Sequence, residues 1–195
     1  MAGSTSVGMR VARVHRCGRQ HVLGLCLLNV ATFPMPKSAF PGAILARDWW
    51  ALQRRLHIND VLVATKRPFG KVVGSVEVHS AEYLRQQSGN LNAEQALLLQ
   101  PYLCSLAVAP QHRGCGLGRQ LVQAAVDDVR RRHPNSNACV LLQVEANNTA
   151  ASRLYSHCGF ECISHPGCEV ALMRRFLHDP KDTAVMSQGQ ARSIP

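Results

Sequence analysis

Acidic residues are missing from the first 47 positions of this 195-residue chain; the first is Asp48. The same stretch carries Arg10, Arg13, Arg16, Arg19, Lys37 and Arg47, so it supplies six of the ten net positive charges. Residues 48–178 hold 14 basic and 10 acidic residues, and the last 17 residues are neutral. A globular part this mildly basic makes no case for a nucleic-acid partner. Aromatic residues are scarce at 5%, which argues against a stacking platform for single strands. No apolar run approaches the ~18 residues of a membrane span; HVLGLCLLNVA is too short and reads as a buried helix. No membrane partner is expected.

Metal and disulfide signatures are lacking too. The eight cysteines (17, 26, 104, 115, 139, 158, 162 and 168) form no CxxC pair, and the nine histidines form no HxxxH beside an acid. Several of the cysteines fall inside apolar strand patterns, where a free thiol behaves as a small hydrophobe. The expectation is a reducing compartment and no metal. An acid-free start with Ser4, Thr5 and Ser6 has the composition of an organellar transit peptide, and equally MRVARV (9–14) reads as an opening strand. We expect a short flexible N-terminus or presequence remnant over 1–8, one domain over 9–178 and a disordered tail over 179–195. The compartment is left between a plastid or other reducing organelle and the cytoplasm.

What is present alternates between helical and strand periods. Residues 20–31 predict a buried helix, ended by the three prolines of FPMPKSAFPG, and 46–57 predict a second. VLVATK (61–66) and KVVGSVEVHS (71–80) predict a hairpin. Residues 81–100 read as an insertion with a loop at Ser88-Gly89-Asn90. YLCSLAV (102–108) is a strand, 118 onward a helix ending in RRRHP, and ACVLLQV (138–144) a buried strand. NTAASRLYSHCGF is a short helix with Gly159 as its C-cap, and CEVALMRRF (168–176) a closing strand. Arg130–Arg132 read as a solvated last turn that complements the helix dipole. Together these give one mixed α/β domain with no internal repeat.

The densest chemical signal is RGCGLG at 113–118, between a strand and a helix. Such a turn can point successive backbone N–H groups into one concavity and add the helix's own free donors, which suits a diphosphate. Glycines at 114, 116 and 118 keep side chains out of the way, and Arg113 and Arg119 can add charge-assisted bonds. The spacing is neither a P-loop nor a GxGxxG fingerprint. Alone, it also fits a plain flexible turn.

With LAVAP before it, Arg113-Gly114-Cys115-Gly116-Leu117-Gly118 resembles motif A of the GCN5-related N-acetyltransferases. About 30 residues on, Asn148-TAASR-Leu154-Tyr155-SHC-Gly159-Phe160 resembles motif B of the same superfamily. Against the literal pattern N-x-x-A-x-x-x-L-Y it is one residue short between Ala151 and Leu154. The wording is similar to bacterial ribosomal-protein N-terminal acetyltransferases and to plastid enzymes that modify N-termini and lysines. The resemblance implies an α/β (α+β) fold whose mixed central sheet contains a splayed strand pair and is flanked by helices. It implies acetyl-CoA as co-substrate: Leu106, Ala107 and Val108 along the pantetheine arm, residues 113–118 and Arg119 at the pyrophosphate, Asn148 near the pantetheine end, and Tyr155 beside the sulfur.

The implied reaction is direct attack by an amine on the thioester. The amine must lose a proton and the leaving thiolate gains from receiving one. Tyr155 suits the second role. For the first, the bacterial relatives carry a Glu in an L-E-V strand where this chain has Leu142-Gln143-Val144. Glu145, which strand alternation places on the same side as position 143, is the first candidate base, and Glu77 the second. The expected acceptor is a protein or peptide amine, an α-amine or a lysine. A small-molecule amine and a non-catalytic acyl-CoA module remain as alternatives. Twelve thinly spread acids disfavour polyamines, and the chain is expected to be a monomer or weak dimer.

Overall fold

The computed structural model describes residues 12–33, 60–66, 70–88, 99–133 and 138–178. The expected helix over 46–57, the loop after Ser88, the 1–8 segment and the 179–195 tail lie outside the described residues. The chain runs β1 (Arg13–Arg16), α1 (Val22–Thr32), β2 (Asp60–Lys66), β3 (Lys71–His79), α2 (Ala81–Ser88), β4 (Tyr102–Val108), α3 (Leu117–Arg132), β5 (Cys139–Glu145), α4 (Thr149–His157), β6 (Glu161–Cys162) and β7 (Val170–Phe176). Seven strands form one sheet in the order β1-β2-β3-β4-β5-β7-β6. Every neighbouring pair is antiparallel except β4–β5.

Helices cover both faces of the sheet. Leu117, Leu121, Val122, Ala125, Val126 and Val129 of α3 recur at helical spacing and bury against Leu62, Val76, Val78 and Leu103. On the other face Leu28 of α1 meets Val63, Val72 and Ala107. β3 therefore has no solvent side, which is why residues 72–78 are all buried, the polar Ser75 and Glu77 among them. α3 lies so close to β3 that a Cβ on Gly74 would stand 2.8 Å from Leu121 Cδ1 and 3.2 Å from the Ala107 carbonyl oxygen.

The sequence-based elements need four adjustments. β1 starts at Arg13, because its register with β2, from Arg13 opposite Thr65 to Arg16 opposite Leu62, selects that stretch. α1 is only half covered: Leu23 and Leu27 stand exposed, since an apolar run on all sides of a helix can bury only the stripe facing the sheet. β6 is two residues long and carries no periodicity to read.

Arg130–Arg132 are not a plain solvated turn. Arg131 reaches Asp128 at 2.8 Å, and Arg132 reaches both Asp128, at 3.1 Å, and Asp60. Arg16 bridges the same two acids at 3.0 and 3.1 Å. Arg130 donates to the Leu177 carbonyl at 2.8 Å. These contacts pin the C-terminal end of α3 to β1 and β2.

Candidate active site

β4 and β5 touch at one rung. Tyr102 stands opposite Leu141, whose N–H donates to the Pro101 carbonyl at 2.9 Å; beyond that point the parallel strands separate. The expected splayed pair is this one.

A bulge sits at the start of the opening. Ala107 faces Ser75 and Cys104 faces Glu77, so Ser105 and Leu106 together oppose Val76. Ser105 takes φ of +51°, the one non-glycine among the described residues in the left-handed region. Such a residue costs about 1–2 kcal/mol, and a bulge bends its strand. It also resets the alternation: Leu103, Leu106 and Val108 all point to the core cluster under α3.

The glycine-rich turn follows directly. Gly114 and Gly116 take φ of +74° and +79° with open space where a Cβ would be, so backbone conformation rather than crowding calls for glycine there. Gly116 caps α3, and the first helical hydrogen bond runs from the Gln120 N–H to its carbonyl at 3.1 Å. The N–H groups of Leu117, Gly118 and Arg119 precede that bond and belong to the helix's free donors.

Gly118 has another reason. A Cβ there would lie 3.2 Å from Leu154 Cδ2, so this glycine lets α3 and α4 pack closely. Arg113 Nε donates to the Val108 carbonyl at 3.0 Å and Cys115 Sγ to the His112 carbonyl at 2.8 Å; both side chains brace the turn. Arg119 is exposed. Asn148 caps α4, its Oδ1 accepting from the Ala151 N–H at 3.2 Å.

Tyr155 is buried on α4, its ring edge-on to Phe160 with centroids 6.0 Å apart. Burial first, then negative charge on Cys104, Cys158 and Tyr102, pushes its phenol up to about 12. Such a group stays protonated across the neutral range and can donate a proton but not accept one. Burial followed by Cys104 also raises Tyr102, against the lowering effect of its bond to Gln143.

On the sheet face away from α3 the register gathers a polar row. Glu77 lies opposite Cys104 and His79 opposite Tyr102, and the Tyr102 hydroxyl donates to Gln143 Oε1 at 3.2 Å across the opening. Glu77 is buried, with Oε1 3.1 Å from His79 Nε2. Glu145 does share the side of Gln143, as alternation requires, but stands exposed at the end of β5. His79, Tyr102 and Cys104 were missing from the sequence-based site. Alternation alone pairs His79 with Glu77 and Tyr102 with Cys104; bringing the two strands into register required the bulge.

A seven-stranded mixed sheet opened between two parallel strands, with a glycine-capped helix starting beside the opening, defines a class of α/β domain built to bind in a split sheet. The chain belongs within that class to the family described as Acetyltransferase (GNAT) domain, which matches residues 57–162. It is 37% identical over 62 residues to N-alpha-acetyltransferase 30 of Saccharomyces cerevisiae, covering 32% of this chain and 34% of that protein. It is 29% identical over 98 residues to an N-alpha-acetyltransferase of Sulfurisphaera tokodaii, covering 50% of this chain and 53% of that one. The chain thus matches from a third to about half of the length of these relatives. Among solved structures, the GNAT family N-acetyltransferase YhbS of Escherichia coli in complex with CoA shares the fold, with a TM-score of 0.58 and 23% identity over 89% of this chain and 86% of that one. No helix among the described residues is long and apolar enough to cross a membrane.

Proposed function

We propose that residues 9–178 form one N-acetyltransferase domain that moves acetyl from acetyl-CoA to a primary amine of a protein or peptide. The observation that carries this reading is the opening between β4 and β5, with a glycine-capped helix start at one side and a buried, protonated Tyr155 near β4. Two curated relatives are named N-alpha-acetyltransferases, which favours an α-amine acceptor over a lysine.

The open space at Gly114 and Gly116 and the free donors of α3 fit a pyrophosphate. The edge of β4 over Leu106, Ala107 and Val108 fits an extended amide-bearing arm, and Asn148 is the proposed contact near its pantetheine end. Bound acetyl-CoA supplies a thioester-activated acetyl group. Tyr155 then donates its phenolic proton to the departing sulfur. The incoming amine loses its proton to a carboxylate on the acceptor side. Glu77 is the better placed of the two, since it is buried among His79 and Cys104 while Glu145 is exposed. This transfer uses no metal.

The test is incubation of the protein with acetyl-CoA and a mixed peptide library, beside Tyr155→Phe, reading modified sites by mass spectrometry. The expected result is acetylated α-amines that fall about 100-fold or more in the variant, in line with loss of a general acid. Acetyl-CoA binding without any modified peptide would move the acceptor to small amines or remove catalysis from the reading.

A further inference from the structure

Three side chains on the acceptor face converge on one point. Glu77 Oε1 lies 3.1 Å from His79 Nε2 and Cys104 Sγ lies 3.4 Å from the same nitrogen. All three donor atoms fall within 4.8 Å of one another. We propose that Glu77, His79 and Cys104 form a zinc-binding site, and that zinc there blocks the amine acceptor and so inhibits transfer.

The spacing suits a small tetrahedral ion. With Zn–N near 2.0–2.1 Å, Zn–O near 2.0–2.2 Å and Zn–S near 2.3 Å, tetrahedral ligand atoms lie roughly 3.3–3.7 Å apart. The 3.1 and 3.4 Å separations need shifts of a few tenths of an ångström to match, and Glu77 and Cys104, which lie within 4.8 Å of each other, draw together around the ion. The donor types also choose the metal. An imidazole and a thiolate select zinc over magnesium or calcium, which prefer oxygen.

Charge gives a second argument. A carboxylate, a thiolate and a neutral imidazole carry two negative charges, which balance Zn²⁺ at a place where Glu77 is buried. Binding releases the Cys104 thiol proton to solvent, since the ligand is the thiolate. Three protein ligands leave a fourth position for water or another donor. The ring of Tyr83, edge-on to His79 with centroids 4.9 Å apart, holds the imidazole in orientation. His79 and Cys104 are only half-buried, so an ion can reach them from the opening.

The inhibitory consequence rests on the acetyl-transfer reading, because Glu77 is there the group that takes the amine proton. The site itself does not. The experiment therefore has two readouts on the full chain. Zinc is titrated by calorimetry, and cobalt(II) is used as a probe whose thiolate charge-transfer absorption reports a bound cysteine. Wild type is compared with His79→Gln, Cys104→Ser and, as a control, Cys162→Ser at an exposed cysteine.

We expect one zinc equivalent in wild type and Cys162→Ser, and loss of the cobalt–thiolate charge-transfer band in Cys104→Ser. Binding should weaken in both site variants by at least the roughly 100-fold that losing even an outer partner of a metal can cost. Inhibition by zinc should be relieved by acceptor peptide and not by acetyl-CoA. Wild-type-like titrations in both His79→Gln and Cys104→Ser would overturn the site, as would its loss in Cys162→Ser. Zinc that binds as expected while transfer continues unimpeded would overturn the inhibition. A chain that acetylates nothing would fail the enzymatic reading alone, with the metal titration still decisive for the site.

Discussion

Glu77 and Glu145 show what burial decides between two identical functional groups. One sits among His79 and Cys104 beneath the acceptor face, the other in solvent at the end of β5. Glu77→Gln is expected to lower kcat by about 100-fold, within the range for a lost general base, whereas Glu145→Gln should leave it within about threefold, as suits an exposed carboxylate; steady-state kinetics with a free-amine acceptor peptide checks both. The reverse order would return the base to β5. A carboxylate in a strand can be seen in the sequence, but its environment cannot. The alternation of β5 put Glu145 beside Gln143 correctly, and the register that surrounds Glu77 came from a bulge no residue pattern announces.

At the scale of elements, the glycines divide by physical cause. Gly114 and Gly116 satisfy the left-handed turn that starts α3, and this much is legible in RGCGLG. Gly118 and Gly74 serve close packing, against Leu154 and against Leu121 with the Ala107 carbonyl. That distinction needs coordinates, because both causes produce the same letter. Gly74→Ala is expected to destabilise the fold by about 1–3 kcal/mol, the usual range for overpacking, since one of its neighbours is backbone and cannot rotate away. Urea unfolding measures it; an unchanged midpoint would mean that α3 is free to shift. The longer elements, β3, β4, β5, α3 and β7 among them, were readable from their apolar content or helical period. Two-residue β6 and the start of β1 were fixed by partners.

Across the whole molecule, the ion cluster at the end of α3 ties three elements together. Burial alone would raise the Asp128 carboxyl, but the hydrogen bond from Arg131 and the charges of Arg132 and Arg16 outweigh it and hold it below the ordinary 3.8. A folded-state value below the unfolded one stabilises the protein above the unfolded value and is lost as pH falls through the folded one. The contribution should therefore be complete at neutral pH, begin to fall near pH 3.8 and vanish only below the lower folded-state value. Asp128→Ala is expected to cost about 2 kcal/mol at neutral pH, between the exposed and buried limits because the arginines are partly in water. The gap from wild type should close in acid, which thermal melts across pH can follow. Neither Asp60 nor Arg16 lies near Asp128 in sequence, so this joint appears only on folding.

The single rung between Tyr102 and Leu141 has a thermodynamic consequence. It leaves β1–β4 and β5–β7 as two halves whose shared backbone ladder is one residue long. The two halves should open with partly separate free energies in hydrogen exchange, with β4 amides directed away from β3 among the least protected of the sheet. A ligand that lies along that edge supplies the ladder the protein omits. Acetyl-CoA at 100 times its Kd should then add about 2.7 kcal/mol of stability, and slow exchange should spread from β3 across β4 to β5. The cofactor would be, in effect, the strand that makes the two halves fold as one.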